Sequence, residues 1–217
     1  MLNRILAAIA TVGALALAPS AHAVLINDSG DDFSYTYTHT GGVGTNVISA
    51  FASFDVTSVS ASTIEIMVTV TNTSVLTTFA NAGLTSIGLA TLPEVTGVTI
   101  SGGSVFGGAN TDDVPSLTTI NLCAFADNNC NGGAQNNLLA AGASDAFTLT
   151  LTGNFTDGLL VTASGVKWQT SLTSYEEYGC ERTGPCVTPV KVVPEPATLL
   201  LFGVGALGLA WRRRRAA

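Results

Sequence analysis

The residues of this chain best equipped for covalent chemistry are four cysteines, Cys123, Cys130, Cys180 and Cys186. In an oxidising compartment an even set reads as two disulfides, and four cysteines allow three connectivities. The short spacings favour the local pairs Cys123–Cys130 and Cys180–Cys186, each closing a small loop rich in Asn or in Gly and Pro. On the chain-entropy model an eight-residue loop contributes about 2.5 kcal/mol at most. Zinc is the rival reading, but neither spacing is C-x₂₋₄-C and no histidine lies nearby. Asp127-x-Asn129-x-Asn131-Gly132 matches the first half of a calcium loop, with oxygens at alternate positions and a glycine for the turn. The acid needed at loop position 12 falls on Leu138, which has no oxygen to offer, and Cys130 sits inside the loop. The plainer reading is an Asn/Gly turn pinned by a disulfide. No metal or other cofactor is expected.

Catalytic constellations are equally thin. His22 lies in the leader described below, which leaves His39, between Thr38 and Thr40, as the one imidazole of the body. There is no G-x-S-x-G elbow, no H-E-x-x-H and no phosphate loop. Glu176 and Glu177 are adjacent, so in an extended segment they point to opposite faces and cannot act as a pair. Two distant carboxylates could still be assembled as in a glycosidase, but no motif points to them. Trp168 with Tyr175 and Tyr178 could form an aromatic platform for sugar rings; the competing place for one Trp in a strand is the core. No enzyme activity is expected.

The elements that must carry these residues follow from composition. The chain has 217 residues, room for one ordinary domain. Hydrophobic residues make up 47% and charged ones only 11%, against roughly 25% charged in a typical soluble domain. Between Asp28 and Glu181 or just beyond lie 14 acids against three bases, Lys167, Arg182 and Lys191. A body this acidic repels phosphate backbones, so no nucleic-acid partner is expected.

Both ends read as addresses. Arg4, the apolar run Ile5 to Ala18 and the small-x-small triplet Ala21-His22-Ala23 form a secretory signal, with cleavage between Ala23 and Val24. The run is shorter than the ~17–25 residues of a spanning helix. At the other end, Pro194-Glu195-Pro196 precedes an apolar stretch from Ala197 to Trp211, followed by Arg212, Arg213, Arg214 and Arg215. Pro196 presets the backbone for a helix starting just after it. As a helix the stretch rises ~22 Å against a hydrocarbon core of ~30 Å, a short span eased by snorkelling arginines and by Trp211 at the interface. The arginines orient it, staying cytoplasmic while the body faces out.

Val193 to Leu201, the Gly-spaced apolar helix and the terminal Arg cluster resemble the PEP-CTERM sorting signal, over residues 193 to 215. That resemblance implies a bacterial exosortase as processing enzyme, with Pro194, Glu195 and Pro196 as the recognised motif of a substrate. It also implies a transient stay in the inner membrane, then the cell surface or the extracellular medium. The setting it implies is exopolysaccharide and biofilm.

Between the addresses the periodicity is two, not 3.6. Ile64, Ile66, Val68 and Val70 alternate with Thr63, Glu65, Met67, Thr69 and Thr71; Phe147, Leu149 and Leu151 alternate with threonines in the same way. Phe33-Tyr35-Tyr37 and Ala52-Phe54-Val56 repeat the pattern, and weaker strands are expected at 84–91, 95–100, 117–122 and 159–171. Gly and Asn turns separate them, which argues an all-β, Ig-like β-sandwich over 24–173. Residues 107–145 read as a long excursion, with a short helical turn around 136–141 as one option. Residues 174–192 read as a tail with a Cys pair, ahead of the signal at 193–217. The expected function is a non-enzymatic structural or adhesive surface protein in contact with extracellular polysaccharide; the alternative is a carbohydrate-binding module built on Trp168.

Overall fold

A computed structural model of the protein describes residues 23–40, 44–131 and 137–181. Among them the chain forms β1 (Val24–Ile26), β2 (Asp32–His39), β3 (Ile48–Val59), β4 (Thr63–Asn72), β5 (Ala82–Leu92) and β6 (Gly97–Ser101). There follow β7 (Gly108–Asn110), β8 (Leu122–Phe125), β9 (Ser144–Thr152), β10 (Leu159–Thr170), β11 (Ser174–Tyr178) and β12 (Cys180–Glu181). No helix is present among the described residues. Every strand pair is antiparallel, in two sheets. Sheet I runs β1-β10-β5-β8-β7 with β11 also on β10, and sheet II runs β12-β2-β3-β4-β9-β6.

The alternation read from the sequence is the pleat of sheet II. Ile64, Ile66 and Val68 lie opposite Leu151, Leu149 and Phe147, and all six are buried. Each such burial is worth about 1.5–3 kcal/mol. Thr63, Glu65, Met67 and Thr69 take the other face. Phe33 stacks on Phe54 with ring centroids 4.7 Å apart, closing the same core at β2 and β3. Residues from both sheets join in one buried cluster, which makes the body a β-sandwich.

Sheet I departs from simple alternation. From Ala82 to Thr91 every residue of β5 is buried. Segment 111–131 folds over the outer face of the sheet, and there Val114, Leu117, Ile120, Cys123 and Cys130 pack on Ala90 and Ala163. Gly88 and Gly165 lie opposite each other across β5 and β10. A Cβ on Gly88 would collide with Ile120 and with the Leu122 carbonyl, and one on Gly165 with Leu117. The two glycines therefore form the floor that lets this second layer approach.

Several expectations are corrected. The strand expected at 117–122 lies at Leu122–Phe125; the apolar residues before it serve the outer layer and not a pleat. Residues 137–141 form no helical turn, and Leu139 instead bridges Leu84. The first residues of the expected tail, 174–181, belong to the sheets as β11 and β12, because their backbone groups complete two open strand edges. The expected leader up to His22 and the helix over Ala197 to Trp211 lie outside the described residues.

Candidate functional site

The part of the body that bears on an address is the strap carrying the chain towards it. After β10 the chain reverses at 171–173, where Thr170 Oγ1 accepts the N–H groups of Leu172 and Thr173 and donates to the Thr173 carbonyl. The strand β11 then lies along β10 in sheet I, and β12 pairs with β2 in sheet II. Between them Gly179 crosses from one sheet to the other, its N–H donating to the Ser164 carbonyl at 2.8 Å. Any side chain at Gly179 would run into Tyr35 and Tyr37.

Charged and aromatic side chains fasten the strap. Lys167 and Glu176 face each other in register, with Nζ and Oε1 2.8 Å apart and both largely buried. A buried charge on either side needs the other, since desolvation without a partner costs several kcal/mol. Glu177 Oε2 lies 3.0 Å from His39 Nδ1 on β2. The His39 ring sits 4.6 Å from that of Tyr175, which in turn lies beside Phe79. Tyr178 Oη accepts from Thr119 Oγ1 at 2.9 Å, tying the strap to the outer layer of sheet I. Glu176 and Glu177 thus serve different partners, Lys167 and His39. His39 is half-buried and engaged with Glu177 and Tyr175.

Of the cysteines, Cys123 and Cys130 are joined, and Cys180, in β12, is also disulfide-bonded. Cys186 lies outside the described residues, as do Pro194, Glu195, Pro196 and Arg212 to Arg215. Ala23 is exposed and Val24 begins β1 opposite Val161, so the expected cleavage point lies where the chain enters the sheet. In the calcium-loop stretch Asn129 Oδ1 accepts the Asn131 N–H, the geometry of an Asx turn closed by the disulfide at Cys130. Trp168 is fully buried between the sheets, so it makes no surface platform with Tyr175 and Tyr178.

Three buried polar side chains escaped the sequence reading, and they build one end of the sandwich. Asn46 Oδ1 accepts from the backbone of Thr77, Thr78 and Phe79. Asn72 Nδ2 donates to the carbonyls of Ala82 and Leu139. Asp145 accepts the N–H groups of Ser104, Val105 and Phe106 and the Ser104 hydroxyl. Burial by itself would raise the Asp145 pKa, but these four donors outweigh it and hold the carboxyl at about 2. A sign of this was available: Asn72 and Asp145 share the inward parity of Val70 and Phe147. Near these anchors a cleft of about 510 Å³ is lined by Leu76, Asn81, Gly83, Asn137 and Leu138 among others. Its polar groups are amides, which offer hydrogen bonds to a neutral ligand and no proton chemistry.

Lys167 is the only lysine or arginine among the described residues, against 14 acids, and it is buried with Glu176. The described body therefore exposes acids with no exposed lysine or arginine to offset them.

In comparison with known proteins, the model of the PEP-CTERM protein-sorting motif matches residues 192–215. No curated protein matches the chain. Among solved structures, the crystal structure of the yeast GGA1 GAE domain is 12% identical, with a TM-score of 0.29, covering 63% of this chain and 91% of that one. The GAE domain of GGA2p from Saccharomyces cerevisiae is 16% identical, with a TM-score of 0.29, covering 76% of this chain and 100% of that one.

Proposed function

We propose that this protein, which carries the PEP-CTERM protein-sorting motif, is an exported, non-enzymatic structural or adhesive protein processed by exosortase. Its body, an Ig-like sandwich module, reaches the cell surface or the extracellular matrix, where it contacts exopolysaccharide. The observation that carries the reading is the sorting motif at 192–215, ten residues beyond β12. Pro194, Glu195 and Pro196 are the recognised residues, the stretch Ala197 to Trp211 holds the intermediate in the inner membrane, and Arg212 to Arg215 orient it.

The body supports this role. Its strap is bonded into both sheets as far as Glu181. Cleavage near the motif would leave every described strand in place. Asp31, Asp145, Glu176 and Glu177 are each engaged in holding local structure. An anionic surface favours neutral polymers, or acidic ones bridged by divalent cations, over acidic polymers directly.

Accurate masses of the protein from washed membranes and from the medium, with and without exosortase, test the reading. A released form that starts at Val24, ends near Pro194 and vanishes without the enzyme is the expected result. A single intact form ending at Ala217, confined to membranes, would overturn it.

A further inference from the structure

The cleft of about 510 Å³ lies between two segments, one leading into β5 and the other into β9. Buried amides hold both walls in place. Asn72 Nδ2 donates at 2.8 Å to the Ala82 carbonyl on the first wall and at 2.8 Å to the Leu139 carbonyl on the second. Asn46 Oδ1 fixes the N–H groups of Thr77, Thr78 and Phe79 in the first. A cleft set by bonds that exist before a ligand arrives loses little to ordering on binding. Charge is absent from both walls. No Asp, Glu, Lys, Arg or His occurs from Ile66 to Pro93 or from Asn128 to Ser144, although the described residues hold 14 acids. The lining joins alkyl groups, as at Leu76, Leu138 and Ala141, to the amides of Asn81 and Asn137. Asn81 is exposed and brings both donor and acceptor, while Asn137 donates to the Ala126 carbonyl at 2.7 Å and keeps its Oδ1 as an acceptor.

We infer that this cleft is a binding site for a short stretch of neutral oligosaccharide. The inference rests on the reading that the body contacts extracellular polysaccharide, and it names where. A sugar ring has C–H faces, which leave water against the alkyl wall, and a rim of hydroxyls that donate and accept as the two amides do. The volume falls within the roughly 300–1,000 Å³ of small-molecule sites. Other ligand classes fit less well. An anion would meet no base in the lining and the repulsion of an acid-rich body, and a cation would meet no carboxylate there. A peptide added as a strand needs free backbone groups. Here Leu84 and Leu139 exchange theirs, N–H to carbonyl at 2.9 and 3.1 Å, and the Ala82 carbonyl is taken by Asn72. The site is separate from Trp168, which is closed inside the core.

Titration calorimetry of the exported full chain with cellopentaose, maltopentaose and mannopentaose tests it, with pentagalacturonate and a neutral Ser/Gly pentapeptide as comparisons. At least one neutral pentaose is expected to bind, with an affinity that salt leaves unchanged because no charge is involved. Ala141→Trp, which fills the cleft from an exposed position, and Asn81→Ala are each expected to weaken binding roughly tenfold without lowering the melting temperature. Thr69→Ala, on the outer face of sheet II, should bind as the wild type does. If Ala141→Trp melts early, Asn81→Ala alone decides. Equal binding by the wild type and the cleft variants, or a preference for the galacturonate or the peptide, would overturn the inference. Binding of no neutral pentaose would overturn it as well. Retention of the chain on washed exopolysaccharide from its host would then show that polymer is met elsewhere on the body, and loss of that retention too would take the broader reading with it.

Discussion

Tyr37 and Ser164, 127 residues apart, meet in the middle of the core with their hydroxyl oxygens 2.6 Å apart. One belongs to sheet II and the other to sheet I. Ser164 donates its single proton to the Gly88 carbonyl at 2.9 Å, so the Tyr37 hydroxyl donates to Ser164. The result is a relay of hydrogen bonds across the sandwich with both hydroxyls satisfied.

Removing either end of that relay has unequal effects. Tyr37→Phe leaves Ser164 bonded to Gly88 and is expected to cost about 1 kcal/mol. Ser164→Ala strands the Tyr37 hydroxyl in the core and is expected to cost about 2–3 kcal/mol. The double variant should lose less than the sum of the two. Urea denaturation of all four proteins checks this, and strict additivity would show the bond to be energetically silent.

The same burial governs behaviour in alkali. Desolvation raises the pKa of Tyr37 and of Tyr35 above the ordinary phenol value. The neutral form is thus favoured in the folded state. Its stabilising contribution is complete below about pH 10, the unfolded value, and declines as pH rises beyond it. An ultraviolet titration should show Tyr35 and Tyr37 ionising only as the fold opens.

Asp145 sets the acid limit. Its folded value of about 2 lies below the ordinary 3.8, so it stabilises the fold fully above the ordinary value and progressively less as pH falls towards 2. Asp145→Ala removes the acceptor of four bonds to Ser104, Val105 and Phe106 and is expected to cost about 2–4 kcal/mol at neutral pH. Melting curves from pH 2 to pH 7 should show the gap between wild type and variant closing at the acid end. A constant gap would count against this role for the carboxylate.

The outer layer of sheet I depends on a close approach and a staple. Gly88→Val should destabilise the body by about 1–3 kcal/mol or more, since Ile120 and a backbone carbonyl stand where the side chain would go. Replacing Cys123 and Cys130 with Ser should cost up to about 2.5 kcal/mol. Hydrogen exchange should then speed up first in 111–131, where Val114, Leu117 and Ile120 rest on the sheet. Uniform loss of protection across both sheets would mean that the layer is not a separate unit.

Much of this was legible in one dimension. A period of two with one apolar parity determines a half-buried antiparallel strand, because successive side chains must leave opposite faces. The strands β2, β3, β4 and β9 were therefore readable from Phe33, Phe54, Ile66 and Leu149 and their neighbours. Local cysteine spacing was enough to favour Cys123–Cys130, and the order of prolines, apolar run and arginines was enough for the sorting signal. Such features are contiguous, and each depends on residues within a few positions of one another.

What depended on remote segments was decided only by the tertiary structure. Whether Trp168 faces a sugar or the core turns on sheet II packing over that face of β10, while the layer on the other face, at Ala163, erases the alternation that would have told the faces apart. Whether 174–181 is tail or strand turns on open edges at β10 and β2. Asp145 and Asn72 carried a local sign, an inward polar residue, but their partners lie in segments brought close only by folding. Hydrogen bonds and burial between residues more than a hundred positions apart, as between Tyr37 and Ser164, leave no periodic trace in the chain that forms them.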